Sequence, residues 1–165
     1  MTWRAPLDVA ASRIKIARSE RPLKLPPGIV IEDVEAPAPS RWVKPATSNG
    51  RAILYLHGGA FLFRLPGLHT PFVAELVARS GAQAYMPWYR LAPEHPFPAA
   101  PDDCLAAYRH LLDRFDPSNI SVVGDSAGAN LTLSLLHAIK AQSLPMPSRA
   151  IAISPITDFA EISAS

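Results

Sequence analysis

The segment that decides the fold is Ile120-Ser121-Val122-Val123-Gly124-Asp125-Ser126-Ala127-Gly128. It opens with a largely apolar run, Ile120–Val123, of strand length, and the apolar segment 127–141 that follows has the length of a helix. A serine flanked by glycines between a strand and a helix is the arrangement of a nucleophile elbow. The pattern therefore predicts a tight turn that presents the Ser126 hydroxyl at the carboxyl end of a sheet.

The reading of Ser126 as a nucleophile has a plain alternative. Positions 124 and 128 must be small because larger side chains there would collide with the adjoining strand and helix. The first turn of the helix adds partial positive charge beside the serine. The same pattern also arises by chance, and Ser126 would then be an idle serine in a glycine-flanked turn.

Outward from this turn, short apolar runs alternate with segments of helical spacing. The predicted strands are Ile29–Val34 at a sheet edge, Arg41–Lys44, and four buried strands, Ala52–Leu56, Ala82–Met86, Ile120–Val123 and Ala150–Ile153. The predicted helices are Val9–Ala17, His69–Ser80 (with Phe72, Val73, Leu76 and Val77 at helical spacing), Pro98–Phe115 and a deeply buried Ala127–Ala141. This order predicts an α/β fold with a mostly parallel sheet and helices on both faces.

Composition excludes several classes of protein. The 165 residues include 48% hydrophobic residues, 18% charged residues and one cysteine, which excludes a disordered chain and a disulfide scaffold. The net charge is +2, and the sequence has no basic cluster of the kind typical of nucleic-acid binding. No apolar run reaches the length of a membrane span. No secretory signal is recognised in the first 20 residues, so we expect a cytoplasmic location.

A second motif, His57-Gly58-Gly59-Ala60, directly follows the strand Ala52–Leu56. Glycines at such a position leave backbone N–H groups free to point at a ligand, and with the amide of Ala127 they could form an oxyanion hole. The alternative is a glycine-rich turn of purely structural value.

These residues resemble the hormone-sensitive-lipase-like family of α/β-hydrolases, the carboxylesterases with a Gly-Asp-Ser-Ala-Gly elbow. The resemblance runs from about Gly28 to the last residues. Four motifs carry it, in the family's order: Tyr55–Phe61, Tyr89–Ala100, Gly124–Gly128 and Ser154–Asp158.

The resemblance implies a role for each matching position. Ser126 would be the acyl-forming nucleophile, Gly59, Ala60 and Ala127 the oxyanion donors, and Gly58 the residue that shapes their turn. His57 would brace that turn, and 89–98 would be a structural bridge. Residues 1–25 would form a cap-like segment, and 26–165 the first part of the hydrolase domain. No cofactor and no metal are expected, and the substrate would be an uncharged ester of short or medium acyl length.

A serine hydrolase of this fold uses a catalytic triad of serine, an acidic residue and histidine. This sequence does not supply the acid and the histidine. In this fold they follow the serine in chain order, and in the family they lie well beyond the fourth buried strand. We therefore expect a fold that stops after about the sixth strand and is incomplete or inactive alone. His137 lies too far along its helix to reach Ser126. His69 would line the entrance of the site. Structural roles are expected for three other histidines, His110, His95 and His57. Asp158 would be structural.

Two further functions remain open from sequence. A receptor on the same scaffold could bind a small molecule without a triad histidine, and a remnant of an esterase could have no activity. Whichever function holds, the missing later part of the domain would leave Ala150–Ile153 as an open apolar sheet edge, so self-association or poor solubility is expected.

Overall fold

A computed structural model of the chain describes residues 8–19, 22–35 and 38–157. The helices are α1 (Val9–Ser19), α2 (Pro66–Ser80), α3 (Ala99–Leu112) and α4 (Ala127–Ala141). The strands are β1 (Ile29–Val34), β2 (Ser40–Pro45), β3 (Ala52–Leu56), β4 (Gln83–Pro87), β5 (Ile120–Asp125) and β6 (Arg149–Ile153).

The six strands form one sheet in the order β1-β2-β4-β3-β5-β6. The pairs β3–β4, β3–β5 and β5–β6 are parallel, whereas β1–β2 and β2–β4 are antiparallel. This is the predicted α/β-hydrolase sheet, with β1 at an edge as expected. It places β3 and β5, the strands that precede the two motifs, side by side in its centre.

Helices cover both faces of the sheet, also as predicted. On one face, α2 contributes Val73, Ala74 and Val77 to a buried cluster with Tyr55 and Val123. On the other, Tyr108 and Leu111 of α3 and Leu131 and Leu135 of α4 pack against Leu54. The central strand β3 is buried over its whole length, which explains why it is a continuous apolar run.

The predicted bounds are right for some elements, β1 among them, and wrong for others: α3 spans Ala99–Leu112 and not Pro98–Phe115. Strand β3 and helix α4 have the predicted bounds. Helix α2 begins at Pro66 and not at His69, because proline is tolerated in the first turn of a helix. Of the apolar residues at helical spacing, Val73 and Val77 are buried and Phe72 is 41% exposed.

Two expectations of burial are wrong. Helix α4 is buried on one side only, since His137, Lys140 and Ala141 are exposed. Strand β6 is mostly exposed, with Ile151 48% and Ile153 38% accessible, because it pairs only with β5 and, among the described elements, only α4 covers part of it. It lies at the outer edge of the sheet, as expected for an open edge.

Candidate active site

The two motifs meet because β3 and β5 are parallel neighbours. Leu56 pairs with Gly124 in the ladder, so the residues that follow each strand emerge at the same edge of the sheet. A hydrogen bond of 2.9 Å from the Gly58 N–H to Asp125 Oδ1 joins the two loops directly. The turn after β3 therefore lies against the strand end that carries Ser126.

Ser126 occupies a backbone conformation that few non-glycine residues adopt. Its φ is 50° and its ψ is −117°. Its N–H donates to the carbonyl of Ile153 in β6 at 2.9 Å, and its carbonyl accepts from Ala129 and Asn130 in the first turn of α4. Serine at this position of a helix usually caps a backbone N–H, but here the side chain makes no such bond. The hydroxyl is thus left for another partner.

The glycines around Ser126 are required by space. A Cβ on Gly128 would lie 1.9 Å from the Leu56 carbonyl oxygen, and one on Gly124 would lie 2.2 Å from the Gly128 carbonyl oxygen. Both contacts are with backbone that cannot rotate away. The first turn of α4 consequently packs directly on the end of β3, beside the glycine turn.

The turn after β3 presents several N–H groups without acceptors. Gly59 has a φ of 129°, Ala60 has a φ of 54°, and the Gly59 carbonyl accepts from the N–H groups of Leu62 and Phe63. Among the described residues, no acceptor faces the N–H of Gly59, Ala60 or Ala127. Preorganised donors of this kind stabilise negative charge that develops on a ligand oxygen.

His57 is fully buried beneath this turn. Its Nδ1 lies 2.7 Å from the Gly58 carbonyl oxygen, and the Tyr89 hydroxyl donates to the His57 carbonyl at 2.6 Å. The two rings stack with centroids 4.2 Å apart. Burial lowers the pKa of His57 to about 4, although the bond to the Gly58 carbonyl opposes this. A neutral, enclosed ring is suited to bracing the turn.

Asp125 is the site residue that the sequence reasoning missed. Its Oδ1 accepts from the Tyr55 hydroxyl at 2.7 Å and from the Gly58 N–H, and its Oδ2 lies 3.4 Å from Nε2 of His69. Burial acts to raise the pKa of Asp125, but the bonds from His69, Tyr55 and Gly58 outweigh it and hold the pKa at about 2. The sequence did carry a signal for this role: a charged residue at the end of a buried strand must find hydrogen-bond donors nearby.

The histidines do not provide a base beside Ser126 in the described part of the chain. The His69 side chain is only 4% exposed and lies beside Asp125. The expectation that it lines the entrance is therefore wrong, because α2 directs it inward, onto β3 and β5. His95 and His137 are exposed, and His110 lies beside Arg114. No described histidine is hydrogen-bonded to the Ser126 hydroxyl. Asp158 lies outside the described residues.

Other kinds of site are less well supported. Among residues 8–19, 22–35 and 38–157 no three histidine, cysteine or acidic side chains converge as metal ligands. None of the described helices has the length and apolar character to cross a bilayer. A cavity of about 420 Å³ lies between the 90–101 segment and α4, and its lining includes Phe61 and Asn130 but not Ser126.

Comparisons with known proteins agree with this geometry. A family described as having the alpha/beta hydrolase fold matches residues 53–165. An acetyl-hydrolase of Streptomyces hygroscopicus is 39% identical over 157 residues, which are 93% of this chain and 52% of that protein.

Two solved structures are also similar. The crystal structure of an esterase/lipase from an uncultured bacterium has a TM-score of 0.85 at 41% identity and is matched over 96% of this chain and 54% of its own. A hormone-sensitive lipase from a metagenome library has a TM-score of 0.86 at 32% identity, with coverage of 94% and 53%. The chain thus spans about half the length of the proteins it resembles.

Proposed function

Because this chain belongs to the hormone-sensitive-lipase-like family of α/β-hydrolases, we propose that it carries the nucleophile and the oxyanion donors of a carboxylic ester hydrolase. Ser126 is the nucleophile. The N–H groups of Gly59, Ala60 and Ala127 receive the oxyanion, and Gly58 shapes the turn that holds the first two.

The proposed reaction converts an ester and water into a carboxylic acid and an alcohol. The Ser126 oxygen bonds to the ester carbonyl carbon, and its proton passes to a histidine base that the remaining half of the domain supplies. The tetrahedral oxyanion collapses, the C–O bond to the alcohol breaks, and the base protonates the departing alcohol. Water then attacks the acyl-serine by the same route and restores Ser126.

One observation carries this proposal: a serine held at positive φ, whose side chain caps nothing, stands beside a turn with unsatisfied N–H donors. The strain of such a conformation persists only where the surroundings impose it, and such residues cluster at functional sites. The tie between Gly58 and Asp125 brings the donors and the serine to one place.

For the substrate, we propose an uncharged ester with a short or medium acyl chain. The name of the Streptomyces hygroscopicus relative, an acetyl-hydrolase, supports the short end of this range. The nearest carboxylate to Ser126 along the chain, Asp125, is engaged by three donors and does not offer a free charge to a substrate.

We also propose that residues 1–25 act as a cap-like segment and 26–165 as the first part of the hydrolase domain. In support, Arg13 of α1 donates to the carbonyls of Leu62 and Ala92, which lie on the two loops next to the glycine turn. Self-association through β6 stays a prediction, supported by its exposed Ile151 and Ile153. The cytoplasmic location also stays a prediction.

The test is labelling by a serine-directed fluorophosphonate. The chain would be examined alone and joined to the second half of the Streptomyces hygroscopicus relative, which completes the domain. We expect strong labelling of the completed domain and weak labelling of the chain alone. Ser126→Ala should abolish labelling, and Ser134→Ala, a serine of the same helix, should leave it unchanged. Equal labelling of the Ser126→Ala variant would remove Ser126 from the mechanism.

A further inference from the structure

We propose that the Asp125 carboxylate, oriented by Tyr55 and His69, is a positioning residue that sets the oxyanion donors relative to Ser126. This inference rests on the proposed function and goes beyond it, because Asp125 touches neither the reacting serine oxygen nor any of the three donors. It acts on the turn that carries two of them.

The first step in the argument is the direction of the Asp125 side chain. Asp125 is the last residue of β5, directly before Ser126, and its side chain reaches across to β3. Oδ1 receives the Tyr55 hydroxyl at 2.7 Å and the Gly58 N–H at 2.9 Å, while Oδ2 faces His69 at 3.4 Å. Donors from β3, from the turn and from α2 therefore converge on one carboxylate.

The second step is the fit between the carboxylate and the turn. A Cβ on Gly58 would lie 2.3 Å from Asp125 Oδ2 and 3.0 Å from the Asp125 carbonyl oxygen. The backbone of Gly58 consequently lies against the carboxylate, with no room for a side chain at this position. This gives a reason for glycine at 58 that does not depend on backbone conformation.

The third step is that the turn is held from two sides. Tyr89 fixes the His57 carbonyl, and Asp125 fixes the N–H of the next residue, Gly58. The Tyr89 bond ties the turn to the segment after β4. Of these two hydrogen bonds, only the one to Asp125 connects the turn to the residue beside the nucleophile. The Asp125 carboxylate is thus the hydrogen-bond partner that links the turn bearing the Gly59 and Ala60 amides to the residue before Ser126, in addition to the packing of Gly128 on the end of β3.

Charge makes this tie strong and directional. The hydrogen bonds that Asp125 accepts keep its pKa at about 2, so the group is ionised at neutral pH. A bond from an N–H to a carboxylate is roughly twice as strong as one between neutral groups. Tyr55 is 1% exposed and His69 is 4% exposed, so both partners are themselves fixed by packing.

The experiment compares kcat and KM for a short-chain p-nitrophenyl ester in the completed domain described above. Tyr55→Phe removes one hydroxyl that orients the carboxylate. Asp125→Asn keeps an oxygen acceptor but removes the charge, and Asp125→Ala removes both. We expect kcat to fall about tenfold in the first two variants and about a hundredfold in the third, which is the lower end of the effect of deleting an oxyanion donor outright. KM should stay within about twofold, because ground-state binding does not use this tie.

The matched control is Tyr108→Phe. The Tyr108 hydroxyl donates to the Pro145 carbonyl at 2.7 Å, far from Ser126, so this variant loses a bond of the same length. Its stability should fall as in Tyr55→Phe while its kcat stays unchanged. If the two phenylalanine variants have the same kcat, Tyr55 has a structural role only and the proposal is overturned. We also expect kcat of Asp125→Asn to lie between those of the wild type and Asp125→Ala.

A separate measurement distinguishes failure of this inference from failure of the proposed function. In the chain alone, the amide proton of Gly58 should resonate strongly downfield and move upfield in Asp125→Asn, as seen by NMR. If the completed domain hydrolyses no ester, the proposed function fails. The positioning inference is then decided by the Gly58 amide: an unchanged resonance in Asp125→Asn overturns it, and an upfield shift supports the tie.

Discussion

The junction around Ser126 and helix α1 are attached to the sheet in different ways. At the junction, glycines pack so closely that a single added carbon would overlap backbone. Helix α1 has no buried residue, and a cavity of about 450 Å³ separates part of it from the start of α2. It is held mainly by Arg13, which bonds to Leu62, Ala92 and Glu94.

This difference separates two kinds of constraint. The junction is fixed by close packing of backbone on backbone, where every neighbour resists a change. Helix α1 is fixed by one long side chain, so it can be released without disturbing the sheet. We expect changes at the junction to alter global stability and changes at α1 to alter only local opening.

The largest effect is expected from Gly128→Val. Its side chain would overlap the Leu56 carbonyl and the carbonyl carbon of His57, and neither can move without displacing β3. We expect a loss of more than about 4 kcal/mol, which is the range of severe overpacking. Urea unfolding followed by circular dichroism would measure it.

The control for this change is Gly50→Ala. Gly50 has a φ of 79° but nothing lies within 4 Å of an added Cβ. Its cost should be about 1 kcal/mol, the conformational penalty alone. Similar losses for the two variants would contradict the view that the junction is limited by space.

An intermediate effect is expected from pH acting through His57. Its pKa is about 4 in the folded chain and about 6.5 when unfolded, so the unfolded state takes up a proton first as pH falls. Stability that is fully present above pH 6.5 should therefore decline towards pH 4, by up to about 3 kcal/mol. His110, whose pKa is also lowered by burial, adds to the same trend.

Unfolding free energies at pH 7 and pH 4.5 would check this in the wild type and in two variants. His57→Gln should flatten the decline. His137→Gln, at an exposed position of α4, should not. A decline that persists undiminished in His57→Gln would show that the buried ring is not its source.

The smallest effect on global stability is expected from Arg13→Ala. The change removes bonds of 2.7 to 2.8 Å to two backbone carbonyls and to Glu94, on a side chain that is 29% exposed. We expect the free energy of unfolding to change by less than about 1 kcal/mol. Limited proteolysis within residues 8–25 should become several-fold faster, because α1 detaches.

Arg18→Ala is the matched control, since Arg18 is an exposed arginine of the same helix. It should leave the cleavage rate unchanged. Equal rates for the two variants would mean that Arg13 is not what holds the helix.

The sequence predicted the bounds of the central strand β3, the edge strand β1 and helix α4, but not those of α2 or the exposure of β6. Strand β3 coincides with an apolar run, and α4 begins beside the glycines of the elbow. Both signals are local, so they can be recognised from neighbouring residues alone. The start of α2 was missed because Pro66 begins a helix whose apolar spacing becomes visible only later. The sequence predicted an open edge at β6 but also grouped this strand with the buried ones, since an apolar run alone does not show which other elements lie nearby.

For the site, the structure brings the two predicted motifs together, whereas the residues that support them were not predicted from the sequence. Ser126 and the 57–60 turn are recognisable because their chemistry requires particular residues at short spacing. The support of Asp125 comes from Tyr55 and Gly58, which lie 70 and 67 residues away. His69 was placed on the right helix, but its inward direction follows from how α2 packs on the sheet. Contacts of this kind appear only when the chain is folded.

The backbone bond between Ser126 and Ile153 has one more consequence. The outermost strand, although exposed, supplies the carbonyl that anchors the serine's own peptide. A slip of β6 by one residue would turn that carbonyl away and free the elbow to relax from its unusual torsion angles. The position of β6 therefore also determines how firmly the backbone of Ser126 is held in its unusual conformation.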